Sequence, residues 1–123
     1  MAANKSVLRD IKIKTGSVNR CVKDLIFSAK EIEMQKTRIQ GVKDNPEKDE
    51  HDVRKQEEVL GEMHAGVTDE TARLKSCVEL LQEAIDVNAE DPEISASDEY
   101  EAAKKANAAA MDKLEKEYGV TFG

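Results

Sequence analysis

The N-terminal third of the chain carries a seven-residue repeat of apolar side chains. The stretch IKIK at 11–14 alternates as a β-strand would, but a strand pattern does not persist over so many repeats. The repeat therefore predicts a helix over about 4–43 with one apolar seam. The repeat positions are Ile11, Val18, Leu25, Ile32 and Ile39, with Leu8, Thr15, Val22 and Ala29 between them at the alternating three- and four-residue spacing of a heptad.

The middle of the chain shows the same repeat and predicts a second helix over about 46–88. Its seam residues are Val53, Leu60, Val67, Leu74 and Leu81, with Val78 and Ile85 at the later companion positions. The earlier companion positions hold polar residues, which predicts polar layers in the seam. These residues are Glu57, His64 and Thr71.

Two glycines weaken the helical propensity of this second segment. Gly61 and Gly66 each cost about 1 kcal/mol relative to alanine in a helix. Thr68 is followed by two acidic residues and is a suitable cap for a fresh helix. Because the heptad register continues across this stretch, the sequence predicts a kink between Gly61 and Thr68 rather than a loop.

Turn-forming residues divide the chain at two places. In KDNPEKDE at 43–50, Asn45 is predicted to cap the second helix and Pro46 to take its first position. In NAEDPEISASDE at 88–99, Pro92 is expected to end that helix, and Ser95 and Ser97 are both suitable caps for the next. The sequence then predicts a third helix over about 97–118, followed by a tail, GVTFG, that we expect to fray.

These elements predict an all-α fold. Two long helices and one shorter helix, joined by short loops, favour an elongated antiparallel three-helix bundle with coiled-coil-like packing. At 123 residues the chain is expected to form a single domain, 1–123. Its content of 37% charged, 39% apolar and 3% aromatic residues suits a protein that buries stripes rather than a thick core.

Charge is distributed unevenly along the chain. Residues 1–43 hold ten Lys or Arg against four Asp or Glu (+6), residues 44–94 hold five against sixteen (−11), and residues 95–123 hold four against six (−2). Overall acidity, with no aromatic side chains among the lysines, argues against nucleic acid as a partner. Since no apolar run is long enough to span a bilayer and no signal-peptide segment is present, we expect a cytoplasmic protein with no membrane partner.

Signals of enzymatic chemistry are scarce, and we expect no catalytic, cofactor-binding or metal site. His51 and His64 are thirteen residues apart and do not form the helical pair that binds a metal on one face. A polar core layer is the favoured role for His64. Cys21 and Cys77 lack metal or redox spacing, so reduced thiols are the favoured interpretation, and a disulfide between them stays an open alternative.

The face of the first helix opposite its seam carries a row of apolar residues. We call Ile13, Arg20, Phe27 and Met34 the outer row. An apolar row rimmed by cations is typical of a partner-binding surface. The alternative is that the third helix packs on this row, and the sequence leaves both open. The accompanying cations are Lys23 and Lys30 at the border of the row, with Lys12 and Lys14 near its N-terminal end.

The same stretch resembles the opening of the tubulin-binding cofactor A family, also called tubulin-specific chaperone A. The matching residues are IKIKTG at 11–16 followed by Val18, Arg20, Val22 and Lys23. The second helix is similar to the central stretch of the family at Lys55, Gln56, Glu58, Val59, Leu60, Glu62, Asp69, Arg73 and Leu74, and 100–103 is a weaker match. The resemblance spans most of residues 8–105. It departs where the family carries a proline in the second helix, because this chain has Thr68 there.

The resemblance implies a three-helix bundle that is not an enzyme. It implies capture of β-tubulin as a quasi-native monomer after release from the cytosolic chaperonin, other tubulin-folding cofactors as further partners, and cytoplasmic, cytoskeleton-associated localisation. A monomer or a weak homodimer is the expected state. The competing hypothesis is an adaptor bundle that dimerises through the outer row. The residues predicted to contact the partner are Lys12, Ile13, Lys14, Arg20, Lys23, Phe27, Lys30 and Met34.

Overall fold

The computed structural model describes residues 2–123, with side chains from residue 4 onward, and these residues form four helices. They are α1 (Ala2–Lys43), α2 (Glu50–Val87), α3 (Pro92–Ser95) and α4 (Asp98–Tyr118). None of residues 2–123 forms a β-strand. The predicted all-α fold class is confirmed, whereas the elongated shape of the bundle and its single domain stay predictions.

The start of α2 differs from the prediction. The Asn45 side chain accepts a hydrogen bond from the Glu47 backbone N–H at 2.9 Å, which forms a local turn rather than a helix cap. The cap is Asp49, which accepts from the Asp52 N–H at 3.1 Å while the Asp52 carboxylate accepts from the Asp49 N–H at 3.3 Å. The prediction of Asn45 and Pro46 as the start was therefore wrong, because a reciprocal acidic cap lies one turn further along.

The second loop contains a short helix that the sequence analysis did not predict. The Asp91 carboxylate accepts hydrogen bonds from the N–H groups of Glu93 and Ile94, both at 3.0 Å, so Pro92 begins α3 instead of only ending α2. Ile94 is buried. Ser97 then caps α4 by accepting from the Tyr100 N–H at 3.1 Å, which selects Ser97 over Ser95.

The chain divides into two compact units. The first unit comprises the described residues of Met1–Val22 together with Thr71–Gly123, and the second comprises Lys23–Glu70. Each of the two long helices contributes one segment to each unit. The third helix of the predicted bundle, α4, belongs to the first unit alone.

Helices α1, α2, α3 and α4 all contribute buried side chains to the core of the first unit. The Asn107 side chain of α4 donates to the Val78 carbonyl of α2 at 3.1 Å and to the Gln82 side chain at 3.0 Å. The buried apolar residues of this unit are Ile11, Val18, Cys21, Leu74, Val78, Leu81, Ile85, Ile94, Tyr100, Ala103, Ala110 and Leu114. The predicted seam of α1 therefore faces inward here, as the heptad required.

The second unit is a pair of antiparallel helices with a thin core. Its buried residues all lie on α1: Leu25, Ile32, Gln35 and Ile39. Gln35 is only 1% exposed, and its side-chain amide donates to the Gln56 backbone carbonyl at 2.9 Å and to the Gln56 side-chain carbonyl at 3.0 Å. The α2 residues opposite are half-buried at most, because a helix pair shares one interface and leaves the flanks in water.

The predicted polar layers at Glu57 and His64 are wrong, whereas Thr71 is half-buried. His64 and Glu57 are exposed, and Glu57 forms an ion pair with Lys43 at 3.6 Å. Thr68 does not begin a helix, since its hydroxyl donates to the His64 carbonyl at 3.3 Å within a turn of α2. The stretch from Gly61 to Thr68 is helical throughout, and a kink there stays a prediction.

The C-terminal tail is held in place rather than frayed. Gly119 adopts a left-handed conformation with φ 66° that ends α4. The N–H groups of Gly119 and Val120 both bond to the Leu114 carbonyl, the latter at 3.0 Å. Phe122 is half-buried, with the Lys75 ammonium 5.9 Å from its ring centroid.

Candidate functional site

The apolar residues of the outer row are exposed to solvent. Phe27 is 65% exposed and Met34 57% exposed in the second unit, and Ile13 is 61% exposed in the first unit. The alternative in which the third helix packs on these side chains is therefore wrong. Isolated exposed apolar residues are common, but large side chains repeated on one helix face are more typical of interaction surfaces.

The cations that accompany the row differ in how free their charges are. Arg20, Lys23 and Lys30 are exposed, and none of them forms an ion pair with a described residue. Lys14 instead is half-buried and pairs with the Asp10 carboxylate one helical turn earlier. Its charge is largely committed within α1, which weakens the prediction that Lys14 steers a partner.

Lys12 lies beside an acidic helix start. Together with Gly16 and Asn19 of α1 it lines a groove of about 440 Å³ whose other wall contains Asp98 and Glu99, in the first turn of α4. Two carboxylates in the same groove reduce the positive potential that Lys12 presents to solvent. The positive charge available to a partner is thus concentrated at Arg20 in the first unit, and at Lys23 and Lys30 in the second.

A cleft beside Phe27 adds residues that the sequence analysis did not identify. In the second unit, α1 and α2 border a cleft of about 240 Å³, and its α2 wall contains Met63 and Gly66. The Ser28 hydroxyl donates to the Glu70 carboxylate at 2.6 Å and ties the two helices together at this point. A Cβ at Gly66 would meet no heavy atom within 4 Å, so the glycine leaves space open rather than permitting close packing.

A heptad with companion positions three residues after the seam residues of α2 would have predicted that Met63 faces α1. The predicted companion positions lie four residues after Val53, Leu60 and Val67, whereas in the second unit the inward-facing companions lie three residues after them. The half-buried residues at those positions are Gln56, Met63 and Glu70. Both spacings occur in a heptad, and only the polar and apolar character of the two sets could have chosen between them.

The histidines, cysteines and acidic residues are the side chains that could hold a metal ion. His51 and His64 are both exposed. Among the residues from 2 onward, no group of three or more His, Cys, Asp or Glu is placed to hold a metal ion. No helix there is long and apolar enough to cross a membrane. The exposed apolar and cationic side chains of α1 are the candidate surface, and their contact with a partner stays a prediction.

Comparison with known proteins places residues 6–106 in the family model described as tubulin binding cofactor A. Tubulin-folding cofactor A of Arabidopsis thaliana is 33% identical over 100 residues, which cover 81% of this chain and 87% of that protein. Tubulin-specific chaperone A of Homo sapiens is 30% identical over 97 residues, which cover 79% and 86%.

Two solved structures resemble the fold closely. The crystal structure of tubulin folding cofactor A from Arabidopsis thaliana superposes with a TM-score of 0.76 at 33% identity, covering 88% of this chain and 98% of that one. Human tubulin chaperone cofactor A superposes with a TM-score of 0.69 at 28% identity, covering 85% and 98%.

Proposed function

This chain belongs to the tubulin-binding cofactor A family, and from that premise we propose that it binds β-tubulin and holds it as a quasi-native monomer before the α/β heterodimer assembles. The names of its relatives, tubulin-folding cofactor A and tubulin-specific chaperone A, support tubulin as the partner. The choice of the β-subunit follows the family resemblance of the first helix. The action is stoichiometric binding in the cytoplasm, without nucleotide or metal.

The observation that carries the proposed contact is the 65% exposure of Phe27 on a helix pair that no third helix covers. Burying a side chain of this size on binding contributes about 1.5–3 kcal/mol. Lys23 and Lys30, which lack ion pairs with the described residues, flank it and suit an acidic partner such as tubulin. Charge then accelerates encounter, and apolar contact lengthens the lifetime of the complex.

The first test is capture of β-tubulin by paired variants. Phe27→Asp should weaken capture by about 30-fold, as expected for an aromatic anchor of an interface. Leu80→Asp is the matched control, because Leu80 is a similarly exposed apolar residue on α2 of the first unit. Circular dichroism must show unchanged helicity in both. Equal capture by the parent and Phe27→Asp would move the contact away from α1.

The second test concerns charge. Lys23→Glu should lower the association rate and reduce its dependence on salt, because it reverses a cation at the contact. Lys105→Glu, an exposed lysine on α4, is the control for the same change in net charge. Equal effects of the two substitutions would show that only the overall charge matters and that Lys23 does not face tubulin.

The third test asks whether tubulin inserts into the cleft beside Phe27. Gly66→Gln places a polar side chain in the cleft, whereas Gly61→Gln makes the same change at an exposed position of α2 outside it. If tubulin inserts into the cleft, only the Gly66 variant should bind less well. Equal binding by both would limit the contact to the outer face of α1.

Sedimentation of the isolated chain separates this proposal from the adaptor hypothesis. Phe27 and Met34 could instead bury each other in a homodimer, because both are exposed on a two-helix unit. A tight dimer that Phe27→Asp dissociates, combined with no capture of tubulin, would favour a scaffold. A monomer that captures tubulin would favour the chaperone.

A further inference from the structure

Two cysteines from different helices meet inside the first unit. The Sγ atoms of Cys21 on α1 and Cys77 on α2 lie 4.0 Å apart. Neither cysteine is in a disulfide. Because a sulfur–sulfur bond is about 2.05 Å long, the two atoms must approach by about 2 Å to form one. Rotations of the two side chains, with a small approach of the helices, provide movement of that size.

The two thiols differ in accessibility in a way that suits stepwise oxidation. Cys21 is buried, at 8% exposure, whereas Cys77 is half-buried at the surface of α2. A reagent in solution therefore reaches Cys77 first, and Cys21 lies behind it within reach of the Cys77 sulfur. Attack by one thiolate followed by resolution by a second is the ordinary course of thiol–disulfide exchange.

We propose that Cys21 and Cys77 form an oxidation site that low-molecular-weight disulfides convert into an intramolecular disulfide. The Cys77 thiolate attacks one sulfur of the reagent RSSR, forms a mixed disulfide and releases RS⁻. The Cys21 thiolate then attacks the Cys77 sulfur, forms the Cys21–Cys77 bond and releases a second RS⁻. Two protein thiols are oxidised by two electrons, the reagent is reduced to two thiols, and the two protons from the cysteines protonate the leaving thiolates.

The position of the bond determines its effect on the fold. The two cysteines are 56 positions apart in the sequence, and the intervening chain contains the whole of the second unit, Lys23–Glu70. A disulfide stabilises a fold mainly by restricting the unfolded chain, and the effect grows with the length of the closed loop. Because Cys21 and Cys77 are already adjacent while the first unit is folded, the bond should raise the resistance of the whole chain to global unfolding rather than that of the second unit to local opening. This inference does not depend on the tubulin proposal.

The test is oxidation of the full chain with bis(2-hydroxyethyl) disulfide. The expected product has lost two hydrogens by intact-mass measurement, and non-reducing peptide mapping joins the peptides that contain Cys21 and Cys77. Its melting temperature should rise by about 10 °C over the reduced chain and return after dithiothreitol. A product that remains a mixed disulfide, a covalent dimer, an unreacted dithiol, or an internal disulfide with no gain in melting temperature would overturn the proposal.

Two variants separate the roles of the cysteines. Cys21→Ser should stop at the mixed disulfide, with Cys77 carrying one hydroxyethylthio group, because the resolving thiol is absent. Cys77→Ser should react more slowly than Cys21→Ser, since the remaining thiol is buried. Equal reaction rates of the two variants, each with parental helicity by circular dichroism, would contradict the proposed order of attack. The mass and mapping of the parent chain test the bond itself independently of either substitution.

Discussion

Side chains donate hydrogen bonds to the last backbone carbonyls of α2. Removing one of these donors, the Tyr100 hydroxyl, should measurably destabilise the first unit. The Tyr100 hydroxyl of α4 donates to the Ile85 carbonyl at 2.9 Å, and the Asn88 side-chain amide donates to the Ala84 carbonyl at 2.8 Å. The Ala89 N–H donates to the Asp86 carbonyl at 3.3 Å, so it does not form the helical hydrogen bond to the Ile85 carbonyl. Tyr100 therefore supplies a partner that the end of a helix otherwise lacks.

The size of the effect follows from what Tyr100→Phe changes. The ring stays, so no cavity forms, and only one buried hydrogen bond is lost. Because Tyr100 is almost fully buried, the Ile85 carbonyl is left without water to replace the hydroxyl. An unsatisfied buried acceptor costs about 1–3 kcal/mol. For a chain of this length, a loss of about 2 kcal/mol lowers the melting temperature by roughly 8 °C.

Thermal unfolding followed by far-UV circular dichroism measures this shift. Tyr118→Phe is the matched control, because Tyr118 is on the same helix and its hydroxyl forms no hydrogen bond with the described part of the chain. Amide hydrogen exchange in the last turn of α2 should accelerate in Tyr100→Phe alone. Similar shifts in both variants would refute the reasoning, since the loss would then come from removing any tyrosine hydroxyl and not from the end of α2.

Three further predictions concern stability. Gln35→Ala should cost about 2–3 kcal/mol in chemical unfolding, through a cavity and the loss of the three hydrogen bonds that the side chain makes with Gln56 and Arg38, whereas Gln35→Leu should cost less than about 1 kcal/mol; equal losses would show that these hydrogen bonds dominate. Asn107→Asp buries a carboxyl group whose pKa is raised by burial, so its deficit relative to the parent should be large at pH 7 and shrink as the pH falls from that raised pKa to the unfolded value of about 4; an unchanged deficit would show that shape and not charge is responsible. Gly61→Ala and Gly66→Ala should each stabilise α2 by about 0.5–1 kcal/mol in thermal unfolding, because a Cβ at either site meets no heavy atom within 4 Å; destabilisation by either would show that its backbone needs glycine.

The heptad of α1 was predictable because apolar residues occupy every seventh position from Ile11 to Ile39. Ile11, Val18 and Leu25 are fully buried, as the repeat required. The first half of α2 was not predictable to the same degree. There α2 packs only against α1, so polar residues on either side of the seam cost little free energy. The pattern therefore placed His64 wrongly in the core.

Helix starts were predictable where the competing caps lie close together in the sequence. Ser97 competed with Ser95 two positions away, and the start of α4 was still placed within one residue. The stretch before α2 offers Asn45 and Asp49, which are both good caps. The choice of Asp49 depends on its reciprocal bonds with Asp52, and a pattern that recognised only serine or threonine with an acid missed that pair.

The exposed residues of the candidate site could be predicted from the helix phase of α1, whereas the cleft could be found only from the packing of α1 against α2. Exposure of Phe27 and Met34 is what a helix with its seam at Leu25 and Ile32 must produce, so it could be read from the sequence. The pairing of Lys14 with Asp10 could also have been found, because the two are one turn apart. The cleft could not, since Met63 and Gly66 reach Phe27 only through the register of α1 against α2.

More apolar residues of α1 are exposed in the second unit than in the first, because α1 packs against fewer helices there. In the first unit α4 supplies a second interface, and its alanines at 103 and 110 are buried in the core. In the second unit α1 has only α2 to pack against, so Ile26 is 42% exposed in addition to Phe27 and Met34. A lone helix pair buries little apolar area and is only marginally stable by itself. Apolar residues on the outside of such a pair add little to its folding, and a partner that covers them stays a prediction.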